Sequence, residues 1–371
     1  MQKRETVKAW KINNQKNAMI KRSALLVLFM VMMAYCCQAM AHKGSLSDTL
    51  TLSPDEVTGI FESEEILDIS LRFDITEFMR KKSDEEYMDA VVTIYNSSVD
   101  SVSYDIKLRA RGNSRRKLCS FPPIRLNFKD TRTAYGDIDS MKNIKMVTHC
   151  NPANPYEGYI LKEYLVYKLY NLVTDYSFRV RLLRVKYIDT GKRGRYYSQY
   201  GFLIEPLDLL EQRMDVFEIE NIPLRYSDLL PDVLDRMAIF QFMVGNPDWQ
   251  VASYHNIKII KNRYQLKGVA VPYDFDYSGF VNTSYALPAE ALHIENVRQR
   301  VFLGACRPDS TYSRILKEFM DNKDNFYEEI GKCSMLDDKS RRYVNSYLDS
   351  FFKLYKRDRI IDMLKMTCLD Q

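Results

Sequence analysis

The sequence predicts an α+β fold of two lobes, a sheet-rich N-terminal lobe followed by a helix-rich C-terminal lobe. Two observations carry this. Up to about Glu205, apolar residues recur mainly at every second position, the mark of half-buried strands, around a single helical stretch. From Asp208 onward the pattern turns helical, and 371 residues are enough chain for two lobes. The expected boundaries are 1–41 for a separate leading segment, 42–205 for the first lobe and 206–371 for the second, with a hinge near Glu205–Leu209.

Residues 42–60 are polar and read as a loose lead-in. Ile66–Phe73 and Met88–Tyr95 read as strands. Val102, Tyr104, Ile106 and Leu108 alternate and run into the turn signal Arg111-Gly112-Asn113-Ser114. Pro123–Phe128 returns as a strand, so a basic Gly loop joins two strands. Asn143–Val147 is a short strand carrying Lys145. Glu157–Leu172 has a helical stripe of Ile160, Tyr164 and Tyr167. Phe178–Ile188 and Tyr196–Ile204 are strands about the basic turn Lys192-Arg193-Gly194-Arg195, and Glu205-Pro206 breaks the second. Leu209–Val216 and Pro231–Val244 are helices, the latter with proline at its first turn, where a missing N–H costs nothing. Ile257–Ile260 and Tyr264–Val271 form a hairpin. Helices follow over Asn296–Leu303, Tyr312–Lys323, Asn325–Lys332 and Lys339–Met363.

A hydrophobic share of 46% and a charged share of 28% are globular values, and 26 Tyr with 18 Phe argue against disorder. A net charge of +5, from 54 basic and 49 acidic residues, is too balanced to imply nucleic acid, and no zinc-finger spacing occurs. Lys21-Arg22 precede an apolar segment from Ala24 to Ala41, with Ala39-Met40-Ala41 as a cleavage site. Export to the periplasm, cell surface or exterior is therefore expected. An uncleaved single-span anchor is the competing expectation, and it is the one membrane contact foreseen. Without Cys36 and Cys37 the chain holds Cys119, Cys150, Cys306, Cys333 and Cys368. That odd number leaves a thiol free or paired outside the chain. Cys119 and Cys150 are candidates for a disulfide.

The richest stretch is Gly245-Asn246-Pro247-Asp248-Trp249, followed by His255-Asn256 and Asp274-Phe275-Asp276. Along the chain come a Gly-containing turn, a strand with Lys145, a helix with Glu163, then Asp248 with Asn256, then Asp274. Phosphoryl transfer uses such an order: a phosphate cover, a lysine held by a helix glutamate, a base and a metal pair. Asp274 and Asp276, two apart on an extended segment, would point the same way and repel unless a cation lies between them. Plainer roles compete. Asn-Pro-Asp forms turns by itself. Lys145 is also an edge-strand charge with Lys142 and Arg125 as rivals, and Glu163 a helix-surface charge. Arg111, Arg115, Arg116 and Lys117 are also a solvated run, with Arg111 the best phosphate contact among them. His255 suits a structural hydrogen bond.

These blocks, Arg111-Gly112-Asn113-Ser114, Gly245 to Trp249, His255-Asn256 and Pro272-Tyr273-Asp274-Phe275-Asp276, resemble the signature blocks of the spore-coat-protein-H (CotH) kinase family over roughly residues 64–281. The resemblance implies an atypical protein-kinase-like fold, ATP and Mg²⁺ as cofactors, and phosphorylation of secreted or coat proteins. It implies Asp248 as catalytic base, Asp274 as metal ligand with Asn256 and Asp276 beside it, and Arg111, Asn113, Lys145 and Glu163 around the nucleotide. The chain departs from ordinary kinases in lacking an HRD triplet and a GxGxxG loop, and Asp248 lies eight positions before Asn256. The expected function is transfer of the ATP γ-phosphate to Ser or Thr of an exported protein. A small-molecule or sugar kinase and a non-catalytic envelope binding protein are the alternatives.

Overall fold

Alternating burial builds the first half of the chain. Strands β1 (Leu67–Phe73), β2 (Met88–Tyr95) and β3 (Ser101–Ala110) form an antiparallel meander, and β4 (Ile124–Asn127) and β5 (Asn143–Val147) continue it. After helix α3 (Pro155–Asn171), β6 (Val180–Asp189) and β7 (Tyr196–Ile204) pair with each other, and β7 pairs with β5. The computed structural model describes residues 59–370 except 98, 129–130, 132–142, 153–154 and 192–193. The expected leader or anchor, most of the polar lead-in, Lys142 and Lys192-Arg193 lie outside the described residues. Residues 57–371 form one compact unit.

The expected two-lobed kinase-like arrangement is not what forms. Seven strands close into a barrel in the order β1-β2-β3-β4-β5-β7-β6. Closure comes from β6 running parallel to β1, with Leu67 opposite Leu183 and Phe73 opposite Asp189. Alternation along one strand reports that it has a buried face. It does not report whether the sheet's two edges meet, because that depends on a pairing more than a hundred residues apart in sequence. A parallel pair needs a long crossover, and here α3 lies within it. Leu71, Leu108, Ile124, Ile144, Leu183 and Val185 fill the barrel interior.

Outside the barrel a second core gathers the helices around a three-stranded sheet in the order β10-β9-β8, with β8 Phe217–Glu218, β9 Ile257–Lys261 and β10 Val269–Pro272. Helix α3 is buried on nearly every side and packs on β7. Helix α5 (Pro231–Val244) spans the predicted range and ends at Gly245, whose φ is +63°. A Cβ there would come within 2.0 Å of the Tyr347 hydroxyl, so the left-handed cap and the close approach both require glycine.

Several elements differ from expectation. Helix α1 (Ile75–Lys81), capped by Asp74, and helix α2 (Ser114–Leu118) were not foreseen; each is too short for a recognisable period. Asn296–Leu303 forms turns and extended chain, not a helix. There the Arg300 guanidinium donates to the carbonyls of Met243 and Tyr347 and to the Ser350 hydroxyl, which fixes the segment by tertiary bonds. The last expected helix divides into α8 (Asp338–Lys356) and α9 (Ile360–Thr367), with Asp358 at φ +54° between them. Helices α4 (Leu207–Met214), α6 (Asp309–Asp321) and α7 (Lys323–Lys332) complete the set. Cys119–Cys150 and Cys306–Cys368 are disulfides, and Cys333 is a buried free thiol. No described helix is long and apolar enough to cross a membrane.

Candidate active site

At the mouth of the barrel, segments far apart in sequence enclose one cleft of about 130 Å³. The turn after β3 contributes Arg111 and Asn113, α3 contributes Glu163 and Tyr167, the loop after α5 contributes Asp248 with His255 and Asn256, and the loop after β10 contributes Asp274 and Asp276.

The Asp248 loop is built by Asn246, whose backbone N–H donates to Gln241 and whose side-chain oxygen accepts from the Asp248 N–H at 3.2 Å. The Asx turn therefore belongs to Asn246 and leaves the Asp248 carboxylate for other work. One of its oxygens meets His255 Nε2 at 2.8 Å. The other accepts from the Asn256 amide at 2.9 Å, and the same amide also donates to the Asp248 carbonyl. Asn256 sits at φ +52°, a conformation asparagine tolerates better than most residues. A carboxylate held through both of its oxygens is a pre-oriented proton acceptor.

Asp274 adopts φ +64°, so the expected extended Asp-Phe-Asp segment is a left-handed turn. Its N–H donates to the Tyr167 hydroxyl at 2.8 Å. The turn drives Phe275 fully into the core, edge-on to Tyr167 at 4.8 Å. Asp274 and Asp276 still converge, on a cation the sequence did not single out. Arg115, on α2, donates from Nε to Asp276 at 2.7 Å and from Nη2 to Glu163 at 2.5 Å, and lies 3.8 Å from Asp274. Tyr285 adds a hydrogen bond to Asp276 at 3.1 Å.

Three carboxylates thus face one buried guanidinium. Burial pushes the Glu163 and Asp276 carboxyls up, Arg115 opposes this, and the neighbouring acids add to it. Burial alone would lower the Arg115 guanidinium, but Asp276 and Glu163 hold it well above its ordinary value. Oε1 of Glu163 is buried without a hydrogen-bond partner. Arg111 has no ion pair among the described residues, and burial lowers its guanidinium although Asp274 opposes this. Asp274 is the open member of the cluster, with its side chain 42% exposed.

The expected Lys145–Glu163 pair does not form. Glu163 belongs to Arg115, and the Lys145 ammonium lies 5.1 Å from the centre of the Tyr273 ring, a residue that lines the cleft as Lys145 does not. Burial lowers Lys145 to about 8, with Arg111 and Lys258 adding to the shift. Asn113 precedes α2 without capping it by its side chain. The Glu205 carboxylate, at the expected hinge, is buried between Arg179 and Arg213. Arg115 was hidden in a basic run; the cysteine four residues later was the one signal that this run is anchored.

As a metal site the residues supply two kinds of oxygen. Asp274 offers an accessible carboxylate, and Asn256, which uses its amide nitrogen toward Asp248, retains its carbonyl oxygen. Asp276 is committed through Oδ2 to Arg115 and Tyr285. No group of three or more acidic, His or Cys side chains suited to a metal occurs among the described residues. That donor set fits Mg²⁺, which commonly takes one or two carboxylates and completes its shell with water and substrate phosphates. No protein-family model matches the chain, and no curated protein matches it in sequence.

Proposed function

We propose that the chain is an exported phosphotransferase that moves the γ-phosphate of ATP to a Ser or Thr hydroxyl of an exported or surface protein. The observation that supports this best is the shared cleft. Asp248, held by His255 and Asn256, lines it together with Asp274, Arg111 and Asn113. In this proposal Asp248 accepts the proton of the attacking hydroxyl. Arg111, a cation with no ion pair among the described residues, holds phosphate oxygens, and Asn113 contacts them from the same turn. Arg115 keeps Glu163, Asp274 and Asp276 in register. Mg²⁺, held through Asp274 and the Asn256 carbonyl, would neutralise charge on the transferred group. The two disulfides suit an oxidising compartment, in keeping with export.

A non-catalytic binding role is the second proposal. It is favoured by Arg115, which already satisfies two of the acids. One experiment separates the two. The protein from residue 42 onward is incubated with γ-labelled ATP, Mg²⁺ and an extract of exported proteins, beside Asp248→Asn. General-base loss lowers transfer by about 10²- to 10⁴-fold in the variant. Equal labelling by both proteins removes Asp248 from the chemistry, and absence of transfer together with absence of a melting shift on adding Mg-ATP supports the binding role.

A further inference from the structure

Alternation sorts the strands that lead away from the cleft. Leu108, Leu126 and Ile144 pair across β3, β4 and β5 and belong to the barrel interior. Their chain neighbours Arg109, Arg125 and Lys145 pair in the same register, so they stand side by side on the outer wall. All three are half-buried. Arg111, two residues beyond Arg109, lines the cleft, whereas these three do not. Four cations therefore run from the cleft across three strands.

This row is not neutralised. None of the four forms an ion pair among the described residues, and Nε of Arg109 and of Arg125 is buried without a hydrogen-bond partner. The Arg109 guanidinium lies 4.9 Å from the Tyr87 ring centre and the Lys145 ammonium 5.1 Å from that of Tyr273. A ring face offsets only part of a full charge. Burial lowers Lys145 to about 8, and Arg111, Lys258 and Arg125 lower it further, against Asp274. The nearby acids are engaged elsewhere. Glu77 and Glu86, which share a hollow with Arg109, pair with Lys81 at 2.9 Å and 3.6 Å. Glu218 pairs with Lys258, and Asp89 on β2 with Lys107. Asp274 faces Arg115 inside the cleft.

We propose that this row is the docking track for the acceptor, and that the acceptor is an acidic segment with clustered Asp or Glu beside the Ser or Thr that receives phosphate. The hydroxyl in this inference rests on the phosphotransfer reading; the acids rest on the row alone. Adjacent strands lie about 4.8 Å apart, so three of them span about 10 Å, the reach of about three residues of extended chain. Arg111, at the cleft end, is given to donor phosphate, which leaves Arg109, Arg125 and Lys145 for carboxylates. Guanidinium groups grip carboxylates through paired hydrogen bonds. A basic acceptor would meet repulsion along the whole track.

Fluorescence anisotropy tests this with labelled peptides that carry alanine in place of the acceptor hydroxyl. They differ only in whether the flanking residues are aspartate, asparagine or lysine. The aspartate peptide is expected to bind about tenfold or more tightly than the asparagine one, and the lysine one not at all. Arg125→Gln and Lys145→Gln, neither of which breaks an ion pair, should each weaken it about fivefold or more, whereas Lys353→Gln, at an exposed position on α8, should leave it unchanged. Equal binding of the asparagine peptide, unchanged affinity in Arg125→Gln, or an equal loss in Lys353→Gln overturns the proposal. Displacement of the peptide by excess Mg-ATP assigns the row to the nucleotide and also overturns it. With no hydroxyl present, the readout is independent of phosphate transfer. Acidic preference without any transfer in the labelling experiment sinks the transferase reading and leaves the track standing, and transfer without acidic preference does the reverse.

Discussion

Replacing Arg115 with methionine tests the electrostatic centre of the cleft. The guanidinium bonds Glu163 and Asp276, whose side chains are 1% and 5% exposed, and its own is 8% exposed. Methionine fills much of the volume and removes both bonds, leaving two buried carboxyls without a counter-charge. Breaking a buried ion pair from one side costs about 3–5 kcal/mol, and this range is the expected loss near neutral pH. The pH dependence has a definite sign. Both carboxyls are already pushed up by burial, and without Arg115 they rise further above their unfolded values. The folded variant then holds protons that the unfolded chain releases, so its stability is greatest at low pH and is lost as pH rises through the folded values. Urea unfolding of both proteins at about pH 5 and about pH 8 should show the larger deficit at the higher pH. The triple variant Arg115→Met, Glu163→Gln, Asp276→Asn should regain most of the loss, because the trapped charge is gone. A deficit under about 1 kcal/mol at pH 8, or a triple variant no more stable than the single one, would refute the reasoning.

Three further outcomes follow from neighbouring features. Arg111→Met should weaken ATP binding about tenfold or more without lowering the melting temperature, since Arg111 loses no ion pair; calorimetry and thermal melting check both halves. His149 is fully buried against Phe121 and Tyr187, and burial lowers it to about 4. As pH falls from the unfolded value toward 4, the unfolded chain gains a proton that the folded one refuses. The contribution, about 3 kcal/mol at most, is therefore complete above about pH 6.5 and lost below it, and His149→Phe should flatten that part of the stability profile in urea titrations. The double variant Cys119→Ser, Cys150→Ser opens a loop with a sequence separation of 31, worth about 3–4 kcal/mol in chain entropy, which chemical denaturation would read.

Local elements were legible where burial is one-sided. Strand β2 spans the range that its alternation predicts, whereas helix α5, buried on nearly every side, was legible from its apolar run and from Pro231 at its start. Barrel closure was not legible, because the β1–β6 register is a long-range property and each strand would alternate in an open sheet too. In the cleft, short motifs of acids and amides beside turns singled out Asp248, Asn256 and Asp274, and all three line the one space. The partner of Glu163 was misplaced. A lysine on a strand competed with an arginine in a polar run, and only the fold shows that Arg115 is buried and that Lys145 packs against Tyr273. The left-handed turn at Asp274 was equally hidden, because aspartate is compatible with either backbone.

The parallel seam between β1 and β6 also limits what the molecule can do with other chains. A sheet sealed on itself has no free row of amides along that wall, so a visiting polypeptide cannot be captured there as an extra strand. In the proposed reaction, a protein presenting a hydroxyl to Asp248 would not be held as an added strand of the barrel. Selectivity would then rest on local shape and charge near the modified residue, and targets with little backbone likeness to one another could share the same docking geometry.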